Sequence, residues 1–436
     1  IRDGRVTGVQ TCALPICMSE IALFSPETLI DPYSAYKQLR DEAPVCFIKE
    51  MNVHVVTRYD LLRDAIRRTE DFSSKFDAFL GGAQQMMFSV LDDEQKQRAL
   101  EVASKMIVTP PTMLTLDEPE HTKYRSLVSR LFTASQINLN ASDVRRVIDT
   151  NIEAMRGKSE IDFMEAFAFP VPLVIIADRL GIPEQDRDFF YEAAAAAASG
   201  LKMSPVSGEV LLKRMQLAVE LQQLLIRLTN ARRTEPREDM ITILATSRLD
   251  DEDRLLTDGE VLSILNQFLV AGHETTTSTF GWGMLNLIRQ PELVDRLRGN
   301  DKLIRTFVEE TLRLEAPVQG LPRLVTRDTD LGGYALKQGD MLMLRFGAAN
   351  RDERQFPNPD SLDVDREKPG LQMAFSSGVH HCIGAPLARQ ELNLGFQALL
   401  EAFSNFRLDE SKAAPVADPS IILRGVPHLH IRYDSI

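Results

Sequence analysis

The feature that most constrains the fold is a long helical stretch in the second half of the chain. It begins at residues 257–260, whose sequence Thr-Asp-Gly-Glu is a capping-box pattern, and it ends where Gln290 meets Pro291. A helix of about 33 residues is roughly 50 Å long at the usual helical rise. Its centre, residues 262–270, carries apolar side chains on every side. We therefore expect the helix to run through the interior of one large domain.

The rest of the chain predicts a mainly α-helical protein with small β-sheets. Helical periodicity dominates, and the six alanines at 193–198 favour helix on propensity alone. Strand-like runs are short and lie at residues 44–57, 324–327, 341–346 and 429–433. No βαβ repeat and no Pro/Gly/Ser-rich hinge divides the sequence, which predicts a single large domain.

Composition narrows the class of protein. The chain has 436 residues, of which 44% are hydrophobic, and a net charge of −13. This acidic balance argues against a general nucleic-acid binder, because contacts to phosphate need a basic face. No run of 18 apolar residues is present, so we expect no membrane anchor. Outside the first 17 residues the cysteines are Cys46 and Cys382, which are no disulfide framework and favour a cytoplasmic protein.

Residues 1–17 look foreign to the remainder. They lack the sustained apolar region of a signal peptide and resemble translated sequencing-adapter sequence, whereas Met18 reads like a natural start. We therefore expect a non-native leader at 1–17 and a catalytic domain at 18–436. The alternative is a short metal or redox segment that uses Cys12 and Cys17.

The middle of the long helix carries an unusual polar segment, residues 271–277, with the sequence Ala-Gly-His-Glu-Thr-Thr-Thr. An acid, threonines and a glycine are costly in a buried helix, which suggests a functional purpose. The alternative is a structural cluster in which these side chains bond within the helix. His273 is interpreted as structural.

A second polar segment lies near the C-terminus, at residues 375–389, with the sequence Phe-Ser-Ser-Gly-Val-His-His-Cys-Ile-Gly-Ala-Pro-Leu-Ala-Arg. Cys382 lies between Gly378 and Gly384 in a predicted tight loop, and a helical pattern follows. The free N–H groups at the start of that helix favour the thiolate form of the sulfur. Such a loop would aim a thiolate at a cofactor. The alternatives are an inert buried cysteine, or zinc held by His380, His381 and Cys382.

The cysteine loop resembles the haem-binding loop of the cytochrome P-450 family, with Ser376 in place of the usual glycine after Phe375. Residues 271–275 resemble the oxygen-binding helix of the same family. The resemblance implies haem b (iron protoporphyrin IX) between the long helix and the cysteine loop, with Cys382 as the ligand of the iron and Ala271 and Gly272 against the ring. It spans the chain from about residue 31 to residue 425.

The resemblance also implies roles for the polar groups. Thr275 would donate a hydrogen bond to dioxygen, and Glu274 would feed protons toward it. Residues 117–125 are similar to a segment of the family that binds one haem propionate. In this chain, His121 and Arg125 would make those contacts. Arg323 and His380 match the other positions that bind propionates, and Phe375, Gly378 and Gly384 complete the loop around the cofactor.

A further match is Glu310-Thr-Leu-Arg313, a structural ion pair in the family. Its third partner is usually an arginine at a position where this chain has Ser361. Arg366 or Arg354 could take that place, and the role of the cluster is interpreted as structural rather than catalytic.

The function implied is that of a soluble bacterial-type monooxygenase. It would insert one oxygen atom from O2 into a hydrophobic small organic substrate, with electrons from NAD(P)H passed through ferredoxin reductase and ferredoxin. The alternatives are a peroxide-driven member of the family, or a haem-binding sensor or transport protein without turnover. The acid–threonine pair argues against both.

The resemblance also implies the surroundings of the site. A monomer is expected, and the ferredoxin would bind a basic patch formed by Lys123, Arg125, Arg130, Arg351 and Arg354. The substrate pocket would be lined by residues 81–111, 198–208, 270–271, 318–321 and 421–423. Met86, Met87 and Phe88 could belong to the pocket or to the core.

Overall fold

The computed structural model describes residues 22–77, 81, 88–201, 206–249 and 253–436. The expectation of a leader at residues 1–17 lies outside the described residues, as do Met86, Met87 and parts of the two pocket segments 81–111 and 198–208.

Helices make up most of the described chain, as predicted. The α-helices are α1 (Pro26–Ile30), α2 (Tyr33–Glu42), α3 (Tyr59–Arg67), α4 (Asp93–Ala103), α5 (Glu120–Ser129), α6 (Ala134–Leu139), α7 (Ala141–Met155), α8 (Pro170–Leu180), α9 (Arg187–Leu201), α10 (Gly208–Thr234), α11 (Met240–Thr246), α12 (Asp258–Arg289), α13 (Glu292–Leu297), α14 (Asp301–Leu314), α15 (Phe346–Ala349) and α16 (Ala385–Ala402). A π-helical turn, Met164–Ala168, precedes α8, and the alanine run lies within α9 as expected.

The strands form small sheets. They are β1 (Val45–Ile48), β2 (Val53–Val56), β3 (Phe72–Ser73), β4 (Glu160–Asp162), β5 (Arg248–Leu249), β6 (Arg254–Leu255), β7 (Gly320–Val325), β8 (Thr329–Leu331), β9 (Tyr334–Leu336), β10 (Met341–Arg345), β11 (Phe403–Leu408) and β12 (His430–Ser435). One sheet has the order β1-β2-β10-β7-β3 and another the order β11-β12-β4, while β5-β6 and β8-β9 are separate pairs. The strand predicted at 324–327 begins four residues earlier, because β7 pairs with β10 from Gly320 onward.

The long central helix is α12, and both predicted ends are confirmed. The Thr257 hydroxyl accepts from the Glu260 N–H, and the Glu260 carboxylate accepts from the Thr257 N–H at 2.7 Å. Gln290 is the residue after the last turn. Side chains around the helix are buried along most of its length, and the largest hydrophobic core of the described residues packs around it.

The structural ion-pair cluster forms behind the cavity described below. Arg313 donates to both carboxylate oxygens of Glu310, at 2.7 and 2.9 Å, and both side chains are fully buried. Arg366 donates to the same carboxylate at 2.8 Å, so Arg366 is the third member. Arg354 instead pairs with Asp352 and Asp41. Removing one partner would leave a buried charge uncompensated, which costs about 3–5 kcal/mol for such pairs.

Two further observations concern membranes and cysteines. None of the helices that the structure describes is both long and apolar enough to cross a bilayer. Cys46 is disulfide-bonded, which the sequence analysis does not predict, whereas Cys382 is a free thiol.

Candidate active site

A cavity of about 470 Å³ lies between the central helix and the cysteine loop. The central helix contributes Ala271, Gly272 and Thr275 to its wall. The cysteine loop contributes Phe375, Cys382 and Gly384. Two segments more than a hundred residues apart in sequence therefore meet at one cavity, as the sequence predicts.

Backbone geometry explains the pattern of the cysteine loop. The Cys382 N–H donates to the carbonyl of Phe375 at 2.9 Å, which closes the loop. Gly378 has φ +68°, a left-handed conformation that side chains rarely adopt, and a Cβ there would lie 3.2 Å from Ile66. A Cβ on Gly384 would lie 3.9 Å from the Cys382 sulfur. Gly378 shapes the turn without lining the cavity, whereas Gly384 borders it beside the sulfur.

Ser376 stands where the resembled family has glycine, and its backbone has φ +56°. A non-glycine residue in this region is strained by roughly 1–2 kcal/mol. Its hydroxyl is buried with no hydrogen-bond partner among the described residues, and the residue lines the cavity. The loop thus has the left-handed backbone conformation typical of glycine at residue 376, although the serine side chain makes that conformation less favourable.

The electrostatics of the thiol differ from the sequence argument. Burial raises the pKa of Cys382 above its ordinary value. The N–H groups of Gly384 and Ala385 and the guanidinium groups of Arg125 and Arg389 lower it, but they do not outweigh burial. The sequence correctly indicates that N–H groups at the start of α16 lower the pKa of Cys382. It does not show that the sulfur is buried, which raises the pKa by more. A cationic partner in the cavity would favour the thiolate.

Across the cavity from the cysteine loop, the central helix carries small and polar residues. A Cβ on Gly272 would lie 3.4 Å from Ile176 of α8, an ordinary van der Waals contact, so packing against α8 does not by itself require a glycine here. The Thr275 hydroxyl donates to the Ala271 carbonyl at 2.7 Å, and both residues border the cavity. Glu274 is buried but is not part of the cavity wall. His273 is buried edge-on against Phe169 at 4.4 Å, consistent with the structural interpretation.

Two guanidinium groups reach the cavity without a carboxylate partner among the described residues. Arg125 donates to the carbonyl of His381 at 2.6 Å, and Arg323 donates to the carbonyl of Pro322 at 2.7 Å. Burial lowers the pKa of Arg323 to about 10. A buried cation of this kind is costly unless an anion compensates it. The cavity is therefore suited to a ligand that carries negative charge near these two arginines.

Two histidines lie beside the arginines. The rings of His121 and His380 are 4.3 Å apart, and His380 borders the cavity while His121 lies behind it. Burial and the neighbouring Arg323 lower the pKa of His380 to about 3, so its ring is a neutral donor rather than a cation. The Nδ1 atom of His121 lies 3.2 Å from the Glu118 carboxylate, and its buried Nε2 has no hydrogen-bond partner among the described residues.

These features fit an iron porphyrin. Its metal binds a soft thiolate, its flat ring is apolar, and its two propionates need cationic or donor partners. The cavity offers one thiol, apolar walls, two arginines without a carboxylate partner among the described residues, and the ring of His380 as a donor, with His121 next to it. A zinc site at His380, His381 and Cys382 is not supported, because no such cluster of ligand atoms is found in the described part of the chain.

Two expectations about basic residues are wrong. Arg351 is only 11% exposed and pairs with Glu315 and Asp360, so it cannot belong to a surface patch. Arg354 is paired with acids, as described above. Arg389 lies near the loop, but its charge is compensated by Glu309 at 3.1 Å and its guanidinium lies over the Phe375 ring. Of the predicted patch, the three basic residues on or next to α5 remain.

The predicted substrate segments are only partly correct. Val270, Val318, Leu321, Ile422 and Leu423 do line the cavity. The described residues of 81–111 and 198–208 do not, and Phe88 packs in a separate small cluster with Leu91 and Ala99. Phe76, Met113 and Leu114, which flank the first segment in sequence, take its place.

Sequence reasoning missed several polar residues of the wall, namely Asn266, Gln267, Thr276, Thr279 and Glu391. Glu391 is 3% exposed, and burial raises its pKa well above the ordinary value despite the nearby Arg179. Its position in the sequence could have identified it, because an acid four residues after Leu387 lies on the apolar face of α16. Gln267 precedes Ala271 by four residues, which places both on one face of the central helix.

This chain resembles known proteins both in sequence and in structure. Residues 209–430 match the family model described as Cytochrome P-450. The chain is 31% identical over 409 residues to cytochrome P-450 107B1 of Saccharopolyspora erythraea, covering 92% of this chain and 95% of that protein. The structure of CYP109Q5 from Chondromyces apiculatus superposes with a TM-score of 0.80 at 28% identity, covering 95% of this chain and 98% of that one.

A third comparison includes a ligand. The crystal structure of CYP109E1 from Bacillus megaterium in complex with testosterone superposes with a TM-score of 0.77 at 26% identity, covering 92% of this chain and 99% of that one. The residues that match the family model include the central helix and the cysteine loop, which form the cavity with its thiol. The chain therefore belongs to the cytochrome P-450 family, and it is a haem b-dependent monooxygenase of that family.

Proposed function

We propose that this enzyme inserts one oxygen atom from O2 into a hydrophobic small organic substrate, by hydroxylation or epoxidation. Electrons would come from NAD(P)H through ferredoxin reductase and ferredoxin, in the cytoplasm, with the enzyme acting as a monomer. The single observation that carries the proposal is that Cys382 and Thr275, more than a hundred residues apart, border the same apolar cavity.

Each cavity residue then has a proposed role. Haem, when bound, supplies an iron centre that activates dioxygen. The Cys382 sulfur would bind the iron, and Phe375 and Gly384 would shape the space around it. Arg125 and His121, whose buried Nε2 has no partner among the described residues, would bind one propionate. Arg323 and the neutral His380 would bind the other.

The central helix would supply proton control. Ala271 and Gly272 leave room at the cavity because neither has a long side chain. The Thr275 hydroxyl, now bonded to the Ala271 carbonyl, retains acceptor capacity toward the cavity and can rotate to donate there. Glu274, the preceding residue, is the nearest acid of the same segment and would pass protons to this hydroxyl from the protein side.

The wall chemistry supports a hydrophobic substrate. Apolar side chains from several elements line the cavity, among them Met113, Phe268 and Leu423. Asn266 and Gln267 are the amides of the wall, and Gln267 precedes Thr275 by roughly 12 Å of helix. Such a cavity suits a terpenoid, fatty acid, steroid or aromatic compound with a polar group distant from the carbon that is oxidised. The testosterone complex of CYP109E1 supports this size class.

The proposed partner is an acidic ferredoxin. Arg125 contacts the cysteine loop through the His381 carbonyl, so α5 lies directly beside that loop. Lys123 lies on the same helix and Arg130 follows it. These basic residues would steer a negatively charged partner to the loop, even though the whole chain has a net charge of −13.

The test compares turnover driven by reduced ferredoxin and O2 with turnover driven by peroxide. Compounds are first screened for those that shift the haem from low to high spin. NADH consumption and product are then measured with added ferredoxin and reductase, and separately with peroxide alone. We expect substrate-dependent NADH consumption with product. Product with peroxide only would favour a peroxide-driven enzyme, and ligand binding without turnover would favour a sensor or transport protein.

The propionate roles make a prediction about cofactor retention. Arg323→Ala should speed haem loss about tenfold or more, because a charge-assisted bond to a propionate contributes about 1.5–3 kcal/mol. The rate of haem transfer to an acceptor globin measures this. Arg327→Ala is the control, since Arg327 is exposed and pairs with Asp71. Unchanged loss rates in both Arg125→Ala and Arg323→Ala would contradict the proposed contacts.

A further inference from the structure

A cluster of three side chains lies outside the cavity, on the small sheet β11-β12-β4. Asp162 ends β4, His430 begins β12, and the two residues are direct partners across the antiparallel pair. His428 precedes His430 by two residues. None of the three borders the active-site cavity.

The geometry brings their donor atoms together. The Asp162 Oδ2 atom lies 2.7 Å from the His428 Nδ1 atom. The two imidazole rings are parallel, with an interplanar angle of 1° and centroids 6.0 Å apart. One ligand atom from each of the three residues lies within 4.8 Å of the others.

The carboxylate is held in place by the backbone. The Asp162 Oδ1 atom accepts from the N–H groups of Met164 and Leu429, at 3.0 Å each. This leaves Oδ2 directed at His428. Asp162 is 7% exposed whereas His428 is 62% exposed, so one ligand is rigid and another can adjust. A tetrahedral ion with bonds near 2.0–2.1 Å needs donor atoms about 3.3 Å apart, so the exposed His428 ring would move away from the Asp162 carboxylate to admit the ion.

The neighbouring charges do not oppose a cation. Arg432, two residues after His430, donates to Glu160 at 2.9 Å and pairs with Asp409 at 3.2 Å. Its positive charge is thus compensated by two carboxylates. Hard cations prefer all-oxygen sites, whereas two imidazoles and one carboxylate suit a borderline transition ion.

We propose that Asp162, His428 and His430 bind a divalent first-row transition ion, with the remaining coordination positions open to water. The site is independent of the haem and of the proposed oxidation chemistry. It would link β4 to the start of β12, two segments more than 260 residues apart in sequence, next to the π-helical turn that leads into α8.

The test uses Zn²⁺ and the purified holoenzyme. After removal of adventitious metal with a chelating resin, the protein is dialysed to equilibrium against buffered Zn²⁺, and bound zinc is measured by mass spectrometry. We expect His428→Gln and His430→Gln each to weaken the binding of one zinc equivalent by about tenfold or more. Asp434→Asn removes a carboxylate from the same strand and is expected to bind zinc like the wild type.

The variants keep the result interpretable. His428 is exposed, so His428→Gln should fold normally, and an unchanged haem spectrum checks this. Any zinc bound elsewhere on the chain is common to all variants and cancels in the comparison. Absence of zinc binding by the wild type would overturn the proposal, as would equal binding by both histidine variants. Equal affinity for Mg²⁺ or Ca²⁺ would overturn the assignment to transition ions.

Discussion

Cys382→Ala is expected to abolish the strongly red-shifted Soret band that a thiolate ligand produces in the reduced carbon monoxide complex. Cys382 is the free thiol of the described chain and borders the cavity, so no other described thiol can replace it. Turnover supported by ferredoxin should fall to background, because the thiolate supplies the electron density that activates oxygen. The measurements are the reduced carbon monoxide difference spectrum and product formation.

Cys46→Ala is the matched control. Cys46 is disulfide-bonded and is buried on β1 in a cluster separate from the cavity, so the same substitution removes that disulfide but should leave the spectrum unchanged in folded protein. A histidine-type spectrum in the correctly folded wild type would refute the ligand assignment. A wild-type spectrum in Cys382→Ala would refute it equally.

Much of this site could be predicted from the sequence because its signals are local. The capping box at residues 257–260, the proline at 291 and the apolar centre determine the central helix without any distant contact. The spacing of Gly378, Cys382 and Gly384 encodes a loop whose backbone angles only particular residues tolerate. Such patterns are readable because each depends on neighbours within a few positions.

The features that the sequence did not predict depend on distant contacts. Burial raises the pKa of Cys382 against the local helix dipole, and burial is a property of the whole fold. Arg351 looks like a surface cation until Glu315 and Asp360 are seen beside it. Phe76 and Met113 enter the cavity wall from either side of the segment that the resemblance indicated.

The metal cluster illustrates the same limit. His428 and His430 have the two-residue spacing that places side chains on one face of a strand, but two histidines alone are common and weak evidence. Asp162 becomes relevant only through the pairing of β4 with β12. The ligand set is therefore visible in the folded chain and not in either segment alone.

Thr275→Ala is expected to uncouple electron consumption from product formation. Substrate binding and electron transfer do not need the hydroxyl, so NADH should still be consumed. Without it, protons would reach oxygen at the wrong position, and peroxide would be released in place of oxidised product. General acid–base groups contribute factors of about 10²–10⁴, so we expect product per NADH to fall roughly tenfold or more. Product and peroxide are quantified against NADH.

Two variants on the same helix distinguish a proton role from a packing role. Thr275→Ser keeps the hydroxyl and should restore most of the coupling. Thr277→Ala removes a buried hydroxyl that is not part of the cavity wall, so coupling should stay near wild type.

Glu274→Gln should slow turnover, because an amide cannot deliver protons by ionising. If Thr275→Ala keeps the rate and coupling of the wild type, the proton role of this pair is wrong, and the central helix only forms the wall of the haem cavity.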